Sequence, residues 1–99
     1  MRTEWNQSKN RANQAKHNVS FETASMVFDD PHHLSILDRY VRGEERWITL
    51  GMVDEVILLL VAHTVHESET EEVIRIISAR KATKTERRIY EQAYKKTKG

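Results

Sequence analysis

The sequence predicts an α+β fold with two short N-terminal helices, an antiparallel sheet of about four strands and one C-terminal helix. Apolar residues recur at helical spacing near the N-terminus and alternate with polar residues in the middle of the chain, and a helix-capping pattern follows near the C-terminus. The connections between the predicted strands are short, which is typical of an antiparallel meander. The 99 residues are enough for one domain, which we place at residues 1–99.

The N-terminal region contains the signals of two helices. Asn6 is a candidate N-cap for a strongly polar helix over residues 8–17, and Asn18 suits its C-terminal end. Because this helix has few apolar side chains, we expect it to pack weakly. Ser20 is placed to cap the second helix, which ends before Pro31 because the residue before a proline avoids helical geometry. The apolar face of the second helix consists of Phe21, Ala24, Val27 and Phe28.

Four strands and a final helix follow. The strands are predicted over residues 34–41, 46–52, 56–66 and 73–79. The third is apolar on both faces at first, which favours a central position. Thr83 and Glu86 form a capping box that opens the last helix. The packing face of this helix is predicted to consist of Ile89, Tyr90, Ala93 and Tyr94. The basic residues beside that face are Arg87, Arg88, Lys95 and Lys96.

Composition excludes several classes of protein. There is no cysteine, so no disulfide or thiolate metal site can form. No apolar run approaches the ~20 residues of a membrane helix, and the N-terminus lacks a signal peptide, so we expect a cytoplasmic protein without a membrane partner. His63 and His66 would point to opposite faces of a strand, and no glycine-rich phosphate loop occurs. We therefore expect neither a metal nor a cofactor.

Charge is distributed unevenly along the chain. Residues 75–99 carry nine basic and two acidic side chains, a net charge of +7, and residues 1–18 have a net charge of +3. Residues 19–74 carry three basic and twelve acidic side chains, a net charge of −9. One interpretation is two solvated faces of opposite sign. The other is a basic surface for nucleic acid beside an acidic surface that repels it.

Several cations cluster where the fourth strand is predicted to end. Arg75 lies among isoleucines, so it either pairs with a carboxylate or lines a concave polar site. Arg80 and Lys81 follow where the strand ends. They form either a solvated junction or a phosphate-binding site. Arg46 either reaches the same face or makes a surface pair. His63 and Tyr90 are each either core residues or catalysts.

These residue types suit RNA cleavage without a metal. In that reaction the 2′-hydroxyl attacks the phosphate, and the protein accepts its proton, stabilises the phosphorane and protonates the leaving 5′-oxygen. Arginine suits the second task, and histidine, glutamate, lysine or tyrosine the other two.

Motifs along most of the chain match one known family. They are Trp5-Asn6, His17-Asn18-Val19-Ser20-Phe21-Glu22, Phe28-Asp29-Asp30-Pro31, Gly43-Glu44-Glu45-Arg46, Val61-Ala62-His63-Thr64 and Arg75-Ile76-Ile77-Ser78-Ala79-Arg80-Lys81-Ala82. In these motifs the chain resembles the BrnT family of toxins from bacterial type II toxin–antitoxin systems. It departs from the family pattern at Asn6, where aspartate is expected, at Asn18, where glycine is usual, and in a longer loop over residues 67–72.

The resemblance implies a RelE-like fold and a ribonuclease that arrests growth by cutting RNA. It also implies a cognate BrnA-like antitoxin with a ribbon-helix-helix DNA-binding part, so that operator DNA is bound only through the antitoxin. The candidate catalytic residues carried over by similarity are Arg46, His63, Arg75, Arg80, Lys81, Glu86 and Tyr90. Lys84, Arg87 and Arg88 are candidate RNA-binding residues.

Roles within this set are inferred from chemistry. Arg75 and Arg80 would hold the scissile phosphate, with added charge from Arg46. His63 or Glu86 would take the 2′-proton, and Lys81 or Tyr90 would lie near the leaving oxygen. Two other classes stay open: a non-catalytic module that binds nucleic acid or a protein through its basic C-terminal face, and a purely structural interaction protein. Turnover of RNA would distinguish a ribonuclease from both of these classes.

Overall fold

A five-stranded sheet forms the centre of the molecule. The structure, a computed structural model, describes residues 1–98, with side chains described for residues 1–94. The strands are β1 (Arg2–Glu4), β2 (Leu34–Val41), β3 (Glu44–Val53), β4 (Ile57–Glu67) and β5 (Glu72–Lys81). They lie in the order β1-β5-β4-β3-β2, with β2 to β5 antiparallel and β1 parallel to β5. The α+β class and the predicted antiparallel meander are confirmed. The sequence analysis missed β1, because three residues are too few to show alternation.

Three α-helices accompany the sheet: α1 (Gln7–His17), α2 (Phe21–Ser25) and α3 (Lys84–Lys98). A 3₁₀ helix, Met26–Asp29, continues α2 and replaces the end of the single helix predicted there. The predicted caps are confirmed. Asn6 accepts a hydrogen bond from the N–H of Lys9, Asn18 adopts a left-handed φ of 57°, and Ser20 accepts from the N–H of Thr23.

The face of the sheet that packs against α1, α2 and the 3₁₀ helix is called the inner face here. Its core consists of Val19, Phe21, Ala24, Val27, Val53, Leu59, Val61, Ile76 and Ala79. Gly51 of β3 permits the close approach of the 3₁₀ helix, since a Cβ at this position would lie 2.5 Å from the Cβ of Val27. The inner face is therefore closed to solvent along much of its length.

Helix α1 is held by buried amides rather than by apolar packing. The Asn10 side chain accepts a hydrogen bond from the N–H of Phe21 and donates to Glu22. Asn13 donates to the carbonyls of Val19 and Ala79 and accepts from the N–H of Ala79. The expectation of weak packing was wrong for this physical reason. The signal in the sequence was the three-residue spacing of the two asparagines, which places both on one side of the helix.

The opposite, outer face carries Leu50 and Leu58, and α3 covers only one end of it. Tyr90 is buried against these two leucines. Ile89, predicted on the same packing face, is 52% exposed, because it lies about 100° round the helix from Tyr90. Ala93 and Tyr94 are half-buried, as expected for that face. The side chains of Lys95 and Lys96 lie outside the described residues.

Candidate functional site

Strand register places three predicted arginines on the outer face. Thr64 pairs with Arg75 and Leu60 pairs with Arg80, and directly paired residues of antiparallel strands point to the same side. Leu60 packs with the outer-face cluster under α3. Arg46 directly precedes Trp47, which pairs with His63, so alternation places Arg46 on the side of the sheet that carries Thr64. Arg46, Arg75 and Arg80 therefore share one side of the sheet, as the sequence analysis anticipated for Arg46 in one of its two readings.

Arg80 binds the first turn of α3. Its Nη1 and Nη2 atoms donate to the two carboxylate oxygens of Glu86 at 2.8 and 2.9 Å. Glu86 also accepts from the N–H of Thr83 at 2.9 Å, and the Thr83 hydroxyl oxygen accepts from the N–H of Glu86 at 3.2 Å, which confirms the capping box. The two hydrogen bonds between Arg80 and Glu86 hold the end of β5 against the first turn of α3.

The Arg80–Glu86 pair sets the protonation of both groups. Hydrogen bonds from Arg80 are the main cause that lowers the pKa of Glu86 to about 2, and Glu86 in turn raises the pKa of Arg80. While the pair persists, Glu86 is a carboxylate with little affinity for a proton at neutral pH. Removal of Arg80 from the pair would raise the pKa of Glu86, although the hydrogen bonds from Thr83 would still lower it.

Exposed cations surround this pair. The side chains of Lys81, Lys84, Arg87 and Arg88 are exposed, and none makes a hydrogen bond or ion pair with the described residues. Lys84, Arg87 and Arg88 follow the three-and-four spacing of one helix face. These four residues and Arg80 are called the basic junction below. It holds four unneutralised positive charges at the place where β5 meets α3.

Arg75 is exposed, although the isoleucines on either side of it in the sequence are buried. Alternation along β5 explains this, because Ile74 and Ile76 point to the inner face while Arg75 points out. Arg75 has no ion pair or hydrogen bond within residues 1–94. Of the two alternatives, pairing with a carboxylate is therefore wrong for the described residues. Arg80 lies five positions after Arg75, roughly 13–16 Å along the strand, so the backbones of the two arginines occupy separate places on the outer face.

Arg46 and Thr64 each carry a buried polar atom without a partner. Arg46 makes a single ion pair, Nη2 to Glu44 Oε1 at 3.3 Å, but its Nε is buried and makes no hydrogen bond with the described residues. Thr64 is 3% exposed, and its hydroxyl is also buried and makes no hydrogen bond with the described residues. Sequence analysis did not single out Thr64. The available signal was a polar residue in an otherwise apolar strand, on the face opposite to His63.

His63 lies on the inner face, away from the arginines. The residue is 2% exposed, and its Nδ1 is 3.3 Å from the carbonyl oxygen of Thr64. Since a carbonyl only accepts, Nδ1 carries the proton, and Nε2 accepts from the Thr49 hydroxyl at 2.7 Å. Burial lowers the pKa of His63. The structure therefore separates His63 from Arg46, Arg75 and Arg80 and gives it the satisfied core environment that was its alternative interpretation.

Tyr90 anchors α3. Its hydroxyl donates to Asp30 Oδ2 at 2.6 Å, and burial raises the pKa of Tyr90 above its ordinary value. Burial disfavours the Asp30 carboxylate, but hydrogen bonds from Tyr90 and from the N–H groups of Met52 and His32 lower its pKa overall. A phenol held in this way is not available to a substrate on the open part of the outer face.

An acidic groove lies on the other flank of α3. Its volume is about 950 Å³, and its exposed carboxylates include Asp29, Asp54, Glu55 and Glu91. The basic junction and this groove separate the two signs of charge, as both interpretations of the sequence predicted. Among the described residues, no group of three or more histidine, aspartate or glutamate side chains is placed to hold a metal ion. None of the helices in that part of the chain has the length and apolar character of a membrane span.

Comparison with known proteins relates the chain to one family. A family model described as "Ribonuclease toxin, BrnT, of type II toxin-antitoxin system" matches residues 5–86. Among solved structures, the crystal structure of the Brucella abortus ribonuclease toxin, BrnT, is similar with a TM-score of 0.60 and 21% sequence identity, over 85% of this chain and 99% of that chain. Comparison with curated proteins gave no match. At this identity the likeness to the crystal structure concerns the fold, and the family match includes Arg46, Arg75 and Arg80.

Proposed function

The chain belongs to the BrnT family of ribonuclease toxins of type II toxin–antitoxin systems, and on that premise we propose that it is an endoribonuclease that cuts RNA by 2′-hydroxyl attack without a metal. The observation that carries this proposal is the open outer face, where strand register aligns Arg46, Arg75 and Arg80 beside the exposed cations of the basic junction. Guanidinium groups bind phosphate oxygens and stabilise the charge that develops on a phosphorane.

The basic junction supplies the groups for the chemical step. Arg80 binds the scissile phosphate, and in doing so it exchanges its hydrogen bonds to Glu86 for hydrogen bonds to phosphate oxygens. Glu86 then loses the partner that lowers its pKa and becomes able to accept the 2′-proton. Lys81 pairs with Leu59 of the inner face, but it is exposed at the end of β5, where its long side chain can reach round the strand end. In the proposed step it protonates the leaving 5′-oxygen. The products are a 2′,3′-cyclic phosphate and a 5′-hydroxyl end.

Two residues of the original catalytic set take structural roles in this proposal. His63 is buried on the inner face, and Tyr90 is bound to Asp30. Their positions support a scheme in which Glu86 and Lys81 are the proton-transfer groups. Arg46 and Arg75 bind the RNA backbone at a distance from the scissile phosphate.

Neutralisation by an antitoxin completes the proposed function. A type II system implies a protein antitoxin, and we infer a BrnA-like partner whose ribbon-helix-helix part binds operator DNA. Its toxin-binding segment covers the basic junction, since occupation of Lys81 and Arg80 would exclude RNA. The toxin acts in the cytoplasm on cellular RNA, as one domain over residues 1–99, with no cofactor.

The test is incubation of the purified protein with RNA in EDTA, with and without ribosomes, followed by analysis of the product ends. We expect cleavage with 2′,3′-cyclic phosphate ends and no cleavage of 2′-O-methyl RNA of the same sequence. RNA that stays intact at stoichiometric protein, although it binds, would favour the non-catalytic binding module instead.

The antitoxin is tested by co-expression of the chain with a ribbon-helix-helix protein encoded beside it. We expect growth to be restored and Lys81 and Lys84 to be protected from acetylation in the purified complex. A complex that leaves these lysines reactive and still cleaves RNA would contradict the proposed mode of neutralisation.

A further inference from the structure

The centre of the outer face contains two polar groups that the free protein leaves without partners. Thr64 is 3% exposed, and its hydroxyl makes no hydrogen bond with the described residues. Arg46 Nε is buried in the same unsatisfied state. Buried polar groups are nearly always paired, so two exceptions side by side require an explanation. Both groups can donate, and Nε can only donate, so the missing partner is an acceptor.

The positive charges near these two groups indicate that the missing acceptor is an anion. Arg75 on β5 pairs directly with Thr64 on β4, and Arg46 on β3 directly precedes Trp47, which pairs with His63. Adjacent strands are about 4.8 Å apart, so Thr64 lies between the two strands that carry the arginines. Arg75 has no described partner, and the ion pair of Arg46 with Glu44 uses Nη2 and leaves Nε unbonded.

We propose that Arg46, Thr64 and Arg75 form a second phosphate-binding subsite, which holds the RNA backbone away from the basic junction. The identification of the ligand as RNA rests on the proposed function, in which RNA also binds Arg80. Thr64 is buried in the free protein. When a phosphate draws the neighbouring side chains, the two guanidinium groups among them, toward solvent, the hydroxyl and Nε both donate to its oxygens.

The surface between the two sites is suited to a continuous strand of RNA. Ser78 of β5 and Ala62 of β4 are paired and lie between the row of Arg75 and the row of Arg80. Their side chains are small and uncharged, so the sheet surface is low there. The separation of Arg75 from Arg80, roughly 13–16 Å along the strand, leaves room for each to hold a different phosphate of one RNA strand.

Thr64→Val tests the subsite because it removes the hydroxyl at nearly constant volume. We expect the affinity for a 2′-O-methyl RNA 12-mer, measured by fluorescence anisotropy at fixed salt, to fall roughly tenfold, since a hydrogen bond to a charged phosphate is lost. The melting temperature should stay the same or rise, because the hydroxyl has no partner in the free protein. Thr64→Ser retains the hydroxyl and should bind as the original chain does, and Thr70→Val on an exposed loop is the matched control.

Unchanged RNA affinity of a folded Thr64→Val protein would overturn the subsite. A dinucleotide, which cannot span both sites, and inorganic phosphate form the second arm. Loss of affinity for the 12-mer but not for the dinucleotide supports an RNA subsite, whereas loss confined to inorganic phosphate identifies a free-phosphate site and overturns the proposal. The probe is not cleavable, so this result is independent of whether the protein proves to be a ribonuclease.

Discussion

The side chain of Asn13 pairs with the backbone of Ala79 as a strand would. Its Nδ2 donates to the Ala79 carbonyl at 2.9 Å, and its Oδ1 accepts from the Ala79 N–H at 3.1 Å. Parallel pairing with β1 ends at Arg75, so the amide satisfies the edge of β5 farther along the strand. Ala79 immediately precedes Arg80. Helix α1 therefore fixes the strand position from which Arg80 reaches Glu86.

Asn13→Ala should destabilise the protein by about 2–4 kcal/mol, because it leaves buried backbone groups of Ala79 and Val19 without partners. Urea denaturation measures this loss. Gln14→Ala, at an exposed neighbouring position of α1, is the control and should change the free energy of unfolding by less than about 0.5 kcal/mol. A loss for Asn13→Ala no larger than that of the control would show that the amide does not secure the strand.

Arg80→Ala and Arg75→Ala should differ in their kinetic effects. Arg80→Ala removes a contact to the scissile phosphate and should lower kcat about 100- to 1000-fold. Arg75→Ala should mainly raise KM, by roughly tenfold, with an unchanged melting temperature because Arg75 is exposed and unpaired. Single-turnover cleavage of a labelled RNA measures both. Arg11→Ala, an exposed arginine of α1, is the control.

The outcome that contradicts this assignment is full growth arrest by a folded double variant, Arg75→Ala with Arg80→Ala. Circular dichroism and the melting temperature establish that the variant is folded. Equal effects of the two single variants on kcat would instead place both arginines on one phosphate.

Acid should weaken the strand-to-helix junction through Glu86. The pKa of Glu86 is about 2 in the folded chain and 4.5 when unperturbed. Because the folded value is the lower one, the stabilisation is fully present above about pH 5 and is lost as the pH falls toward 2. We expect it to be about 1–2 kcal/mol, since solvent screens this partly exposed pair. Urea denaturation at pH 7, 5 and 3 measures the loss.

Glu86→Gln should remove this acid-dependent component, and Glu91→Gln at an exposed position of the same helix should retain it. An identical pH dependence in all three proteins would mean that the Arg80–Glu86 pair does not persist in solution.

Mild acid should lower the free energy of unfolding through the buried His63. Burial lowers its pKa below the ordinary 6.5, so the unfolded chain takes up a proton that the folded chain does not. The free energy of unfolding should therefore fall as the pH drops below about 6.5, by up to ~1.4 kcal/mol per pH unit until the folded pKa is reached. Thermal unfolding from pH 8 to 5 measures it, and His66→Gln, exposed on the same strand, should leave the dependence unchanged.

His63→Gln should flatten that pH dependence and, where the variant is folded, retain RNA cleavage within several-fold of the original rate. A folded His63→Gln protein that has lost activity by several orders of magnitude would return His63 to the catalytic set.

The family motifs, the order of helices and strands, the helix caps and the excess of basic residues after residue 75 were readable from the sequence. These features depend on neighbouring residues, and local spacing and capping chemistry express them directly. Membership of the family followed from contiguous motifs for the same reason. The strand β1 was not readable, because its partner β5 lies about seventy residues away and three residues carry no period.

The tertiary structure alone decided which cations lie on the same face of the sheet. A single extra residue in β5, opposite the step from Ala62 to His63, changes which side chains share a face, and no local pattern predicts such a bulge. The sheet register then places Arg46 beside Thr64 and Arg75, sends His63 to the other face, and leaves Arg80 bound to Glu86. Sequence supplied the cationic residue types, whereas pairing between distant strands determined which of them share one face of the sheet.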